Sequence, residues 1–172
     1  MKEKLTLKSA KITDAENLNI LINQAYRGEV GWTRETEIVA GKRSSIKEIY
    51  GLIKNLDTNL FIVEINEDIA ACICVEKKQN TALISTFAVN PKFQNQGIGK
   101  HVLALAEKFA INQLKVKKLV MVVISQRMEL ISFYERRGYK KTGKITDYPV
   151  HLNLGIPKVK GLTTEHLEKD VW

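Results

Sequence analysis

The stretch VNPKFQNQGIGK, residues 89–100, decides how this chain is read. Before it, TALISTFAV (81–89) is apolar and compact enough for a strand. After it, Ile98, Val102, Leu105 or Ala106, and Phe109 recur at the spacing of one helical face. Pro91 cannot donate to a strand ladder, so the chain turns there. Gln94 to Lys100 then enter the helix, whose first turn has unpaired N–H groups and the positive end of the dipole. Gly97 and Gly99 leave the backbone bare where an anion would approach, and Lys100 adds charge. The parts in this order make a main-chain cradle for a diphosphate. The competing reading is an ordinary strand-to-helix turn whose glycines serve packing. A dinucleotide fingerprint fits poorly, because only Gly97-x-Gly99 is present and the preceding strand belongs to a meander; a phosphate-binding loop of the nucleotide-hydrolase type is absent, because no GK[ST] follows the glycines.

Working outward, LTLKSA (5–10) alternates as a first strand, and Ala15, Leu18, Ile22 and Ala25 mark a helix capped by Thr13 or Asp14. Residues 26–45 read as a loop or short helical turns, and a second helix covers 46–56. NLFIVEI (59–65), the turn Asn66-Glu67-Asp68 and IAACICVE (69–76) form a hairpin, which 81–89 extends into an antiparallel meander. KKLVMVVIS (117–125) has the nearly unbroken apolar run of a strand covered on both faces. MELISFYERRG is a helix that stops at Gly138, and YKKTGK begins another strand. Residues 145–161 form an irregular excursion, unusual in length unless it covers a site. LTTEHLEKDV (162–171) is a closing strand or a short helix. The fold class is α/β with a mixed sheet, in a single domain spanning 1–172.

Composition narrows the function. The 172 residues are 44% hydrophobic, enough for one core. A net charge of +8 favours anionic partners, but 7% aromatics and no nucleic-acid-binding motif leave nucleic acid without a second argument. No apolar run is long enough to span a membrane and no signal-peptide core opens the chain, so a cytoplasmic protein without a membrane partner is expected. Cys72 and Cys74 share one face of a strand and read as reduced core residues. His101, His151 and His166 have no metal-ligand spacing, and no metal is expected.

AVNPKFQNQGIGKHVLALAEKFA resembles the signature segment of the GCN5-related N-acetyltransferases, with Gln94, Gly97 and Gly99 on its pattern. FYERRGYKKTG (133–143) is similar to the later aromatic-Tyr-Glu-x-x-Gly-aromatic stretch of that family. The resemblance implies a mostly antiparallel mixed sheet flanked by helices, with a splayed parallel strand pair as a cleft for acetyl-coenzyme A. It further implies that the backbone of Phe87, Ala88 and Val89 pairs with the pantetheine arm. Gln94, Asn95, Gln96, Gly97, Ile98, Gly99 and Lys100 would surround the pyrophosphate, and Tyr134 would protonate the departing thiolate. Where the family often has asparagine, this chain has Arg127, which could meet a phosphate; Leu130 replaces a frequent alanine.

Direct attack of an amine on a thioester needs a proton acceptor but no covalent enzyme intermediate. The strand before the signature carries Ser85 and Thr86 and no carboxylate. Glu29, Glu35 and Glu37 lie in the early irregular segment and Glu64 and Glu76 end strands, with Glu35 the first candidate among them, His151 a further one, and a water chain the alternative. By the resemblance, Tyr26, Trp32, Ser85 and Tyr148 stand on the acceptor side. The expected function is acetyl transfer to a primary amine of a small or amino-acid-like molecule, by a monomer or homodimer. The alternatives are a transferase for a peptide N-terminus or lysine, and a non-catalytic acyl-coenzyme A sensor.

Overall fold

The computed structural model describes residues 4–28 and 35–172. Trp32 lies outside them. The chain runs β1 (Lys8–Ser9), α1 (Ala15–Arg27), β2 (Val39–Ala40), α2 (Ile46–Lys54), β3 (Thr58–Ile65), β4 (Asp68–Lys78) and β5 (Thr81–Val89). It continues through α3 (Ile98–Asn112), β6 (Lys118–Ile124), α4 (Met128–Glu135), β7 (Lys140–Asp147), β8 (Ile156–Pro157) and β9 (Thr163–Asp170). Seven strands form one sheet in the order β1-β3-β4-β5-β6-β9-β7, antiparallel everywhere except between β5 and β6. Alternation of side chains along the strands gives the sheet two apolar faces. Leu60, Ile62, Cys72, Cys74 and Ala88 meet Leu18, Ile22 and Ile49 of α1 and α2. Phe61, Ile73, Val75, Ile84 and Leu119 meet Val102 and Ala106 of α3, with Ile131 and Tyr134 of α4 in the same cluster. Among the described residues no helix is long and apolar enough to cross a membrane.

Several local expectations are corrected. The first strand keeps only Lys8–Ser9 in register, opposite Ile62 and Phe61. Residues 162–171 make the closing strand β9, inserted between β6 and β7. The apolar run of β6 is not covered on both faces. Leu119, Met121 and Val123 point into the core, while Val122 is 44% exposed and borders a cavity. The excursion also has more order than its sequence suggests. β7 continues to Asp147, and β8 pairs with β2 through Val39↔Pro157 and Ala40↔Ile156. Gly155 permits this at φ +125, where a Cβ would come within 2.5 Å of Val39 and 2.6 Å of the Arg27 guanidinium.

Parallel pairing of β5 with β6 covers only Thr81↔Lys118, Ala82↔Leu119 and Leu83↔Val120. Beyond Leu83 the strands separate. On its other edge, β5 slips against β4, passing three residues from Ser85 to Ala88 while β4 passes two from Cys74 to Cys72. The surplus residue is accommodated where Thr86 adopts φ +48, an outlying conformation for a β-branched side chain. The bulge bends β5 away from β6 and opens the gap.

A buried ion triad fastens the elements around that gap. Glu35, 3% exposed, accepts from Arg27 Nε at 2.9 Å through one carboxylate oxygen and from Arg127 Nη1 at 2.8 Å through the other. Arg27 also donates to the carbonyls of Gly41 (3.0 Å) and Leu154 (2.6 Å). One triad therefore ties the end of α1, the segment before β2, the start of α4 and the excursion. Removing the carboxylate strands two buried guanidiniums, which typically costs about 3–5 kcal/mol. Glu35→Ala should lower the urea midpoint of unfolding by that amount of stability; an unchanged midpoint would show that the triad is not structural.

Candidate functional site

The gap between β5 and β6 opens into two adjoining chambers. Tyr26, Phe87, Arg127, Leu130 and Tyr134 border both and form the passage between them.

The first chamber, about 280 Å³, runs along the backbone of β5 to the N-terminus of α3. Phe87, Ala88, Val89, Gln94, Asn95, Gly97, Ile98, Gly99, Lys100, Arg127 and Tyr134 all line it, whereas Gln96 is exposed and does not. A 3₁₀ turn, Pro91–Phe93, ends β5, with the Asn90 carboxamide accepting from the Lys92 N–H at 3.0 Å. Asn95 and Gly97 then take left-handed backbone conformations, φ +61 and +77. Such a turn aims successive N–H groups to one side, at the positive end of a 15-residue helix. Lys100 and Arg137 also line the chamber. Arg137 is packed over the Phe133 ring at 3.6 Å, and among the described residues its buried Nε has no hydrogen-bond partner. These donors suit a phosphate-bearing ligand, and the apolar stretch along Phe87 and Val89 suits a long thin arm. Two carbonyls of β5 already accept bonds from side chains, that of Phe87 from the Tyr26 hydroxyl (2.9 Å) and that of Val89 from Gln94 (3.0 Å).

The second chamber is larger, about 390 Å³. Its floor is Leu83 to Thr86 of β5 and Met121 to Ile124 of β6. One wall comes from α1 and the following segment, with Tyr26, Arg27, Glu35 and Arg43. The other comes from Thr164 and His166 of β9, and Thr146 of β7. Tyr148, Pro149, Leu152 and Leu154 of the excursion also border it. Tyr148 is held by its hydroxyl on the Leu154 carbonyl (3.2 Å) and its N–H on that of Leu162 (3.1 Å). His151 sits on the exposed turn Val150–Leu152 and lines neither chamber.

Burial sets the protonation of the passage. It raises the Tyr134 phenol well above the ordinary tyrosine value, with the Tyr26 hydroxyl adding to the effect and Arg127 and Arg137 opposing it. Tyr26 is raised for the same reason. Burial also pushes the Cys72 and Cys74 thiols up to about 12 and about 11. Both cysteines are therefore neutral core residues, not nucleophiles. His166 goes the other way: burial and nearby Lys144 hold its imidazole below the ordinary histidine value, against an opposing pull from Glu165. Its Nε2 is 3.4 Å from the Thr146 hydroxyl.

Arg27, Arg43 and His166 escaped the sequence reading. Helical spacing from Tyr26 would have flagged Asn23 and Asn19, which organise the backbone at Arg43. Nothing in the sequence around His166 distinguishes it from a surface strand residue.

Solved structures share this architecture. A GNAT family acetyltransferase from Elizabethkingia anophelis, with acetyl-CoA bound, has a TM-score of 0.68 at 20% identity, covering 99% of this chain and 100% of its own. A spermidine N-acetyltransferase chimera from Vibrio cholerae and hSSAT gives 0.74 at 15% identity, covering 98% and 96%. The ribosomal-protein-S18-alanine N-acetyltransferase from Escherichia coli gives 0.67 at 20%, covering 98% and 94%. Proteins named for a polyamine and for a protein alanine thus share the fold. The family model described as Acetyltransferase (GNAT) matches residues 19–139, and the chain belongs to that family.

Proposed function

We propose that this protein is an N-acetyltransferase that binds acetyl-coenzyme A in the first chamber and a small primary amine in the second. The observation that carries the reading is the passage at Tyr134, where a chamber suited to a phosphate-bearing arm meets a cavity of small-molecule size. A peptide acceptor would need an open groove, and Tyr148, Pro149, Leu152 and Leu154 narrow that space by bordering it.

Acetyl-coenzyme A, when bound, supplies an acetyl group activated as a thioester. The residues of the chain do the rest. The N–H groups from Asn95 to Lys100 face the pyrophosphate, with Lys100 and Arg137 adding charge. Phe87 to Val89 hold the arm along the open edge of β5. Tyr134 keeps its proton because its phenol is buried, so it can donate to the departing sulfur. The same desolvation raises the proton affinity of a thiolate in the passage, so a weakly acidic phenol remains a useful donor there. Glu35, with both oxygens on guanidiniums, acts through the geometry of Arg27 and Arg127. His166 is the imidazole lining the acceptor chamber, and we assign it as proton acceptor for the incoming ammonium, directly or through one water.

Two measurements test these roles. Tyr134→Phe should lower kcat about 100-fold with little change in coenzyme A affinity; weakened affinity with unchanged kcat would give Tyr134 a binding role only. If wild-type protein binds the cofactor yet releases no thiol with any amine, the non-catalytic sensor is the better reading. For His166 the sign is fixed by its lowered pKa. The base form persists below the ordinary value of 6.5, so kcat/KM should hold through that pH and fall only beneath it. His166→Gln should abolish this acidic limb; an unaltered pH profile would remove His166 from the proton path.

A further inference from the structure

The acceptor chamber carries more positive charge than a site for a simple amine needs. Among the described residues, three guanidiniums, Arg27, Arg43 and Arg127, border it against one carboxylate, Glu35. Glu35 is committed to Arg27 and Arg127 through its two oxygens. Arg43 is left over. Among the described residues its guanidinium makes no hydrogen bond or ion pair, and its partner is the face of Tyr26, 4.9 Å from the ring centroid.

Arg43 is nevertheless held in place. The Asn23 side-chain oxygen accepts from the N–H groups of Arg43 (2.8 Å) and Ser44 (3.2 Å). The amide nitrogen of Asn23 donates to the Ser44 carbonyl (3.1 Å) and to that of Asn19 (3.0 Å), one turn earlier in α1. Asn19, Asn23 and Tyr26 follow one another at helical spacing, so one face of α1 positions both the backbone and the guanidinium of Arg43. Tyr26 is in turn fixed by its hydroxyl on the Phe87 carbonyl, at the passage. The result is a half-buried, oriented fork of N–H donors beside Tyr26, which borders the passage between the chambers. A planar fork of this kind matches an oxyanion.

We propose that the acceptor is an amine carrying an oxyanion, a carboxylate or a phosphonate-like group, and that Arg43 binds that group while the amine faces Tyr134 and His166. This proposal rests on the acetyltransferase reading. A zwitterion neutralises the excess charge of the chamber locally, whereas a purely cationic amine meets repulsion from three arginines and the attraction of a single, already paired carboxylate.

The test uses free L-amino acids, the same amino acids as carboxamides, aminoalkyl phosphonates, and spermidine. Amine-dependent thiol release is measured, together with the Tm shift each compound gives the coenzyme A-loaded protein. One or more acids or phosphonates should react with kcat/KM about 10- to 100-fold above the matching carboxamide, the range of a charged hydrogen-bonded pair. Arg43→Gln should erase that preference mainly through KM, and Arg43→Lys should restore part of it. Carboxamides or spermidine reacting as well as the acids would overturn the proposal, as would equal losses for acid and carboxamide in Arg43→Gln. No reaction and no Tm shift from any compound, with coenzyme A still binding, would overturn the oxyanion assignment alone. Failure of the wild-type protein to bind coenzyme A would overturn the acetyltransferase reading beneath it.

Discussion

The early end of the β5–β6 ladder is the constraint on which the site depends. Three residue pairs hold the strands together, and beyond Leu83 and Val120 they diverge. A strand edge left unpaired inside a protein must find other partners for its N–H and C=O groups. Here the Phe87 and Val89 carbonyls take bonds from Tyr26 and Gln94. The left-handed Thr86 is part of the same arrangement, because the extra residue at the bulge turns the edge of β5 out of register with its neighbours. Strain of this kind persists only where the surroundings fix it, and here β4, α1 and the side chain of Tyr26 do so.

The ion triad makes the opening usable. Burying three charges is expensive, and replacing such a group by apolar residues of similar volume is often neutral for stability. Its contribution here is geometric. Arg27 reaches the excursion through the Leu154 carbonyl and Arg127 opens α4, while Glu35 holds the two together. The excursion bordering the second chamber is thereby joined to the helix that carries Tyr134. β2 and β8 add a second fastening, so the excursion is tied at two places along its length.

The parts of this architecture that were legible in the sequence are those whose signals are local. Pro91, Gly97 and the apolar spacing after Ile98 together marked the end of a strand and the entry to a helix, and the structure places Pro91–Phe93 and α3 there. The meander of β3, β4 and β5 was legible because each strand ends in a turn of polar residues. β6 misled because an apolar run reports a low-polarity environment without saying whether protein or an empty chamber supplies it; Val122 faces the chamber. Glu35 was legible as a candidate proton acceptor but not as the centre of an ion triad, since its partners are 8 residues before it and 92 after it. Arg43 and His166 were invisible for the same reason. Neither has a neighbour in sequence that betrays its task, and tertiary packing alone brings them to one cavity. The excursion read as irregular because β8 pairs with a two-residue strand more than a hundred positions earlier, a contact no local pattern announces.

A crystal structure with coenzyme A tests the central claim most directly. The account predicts the pyrophosphate against the N–H groups of Asn95 to Lys100, the pantetheine along Phe87 to Val89, and the sulfur within hydrogen-bond reach of the Tyr134 hydroxyl, with the second chamber open beyond it. Coenzyme A bound away from the β5–β6 gap, or filling the second chamber and leaving no space past the sulfur, would contradict it.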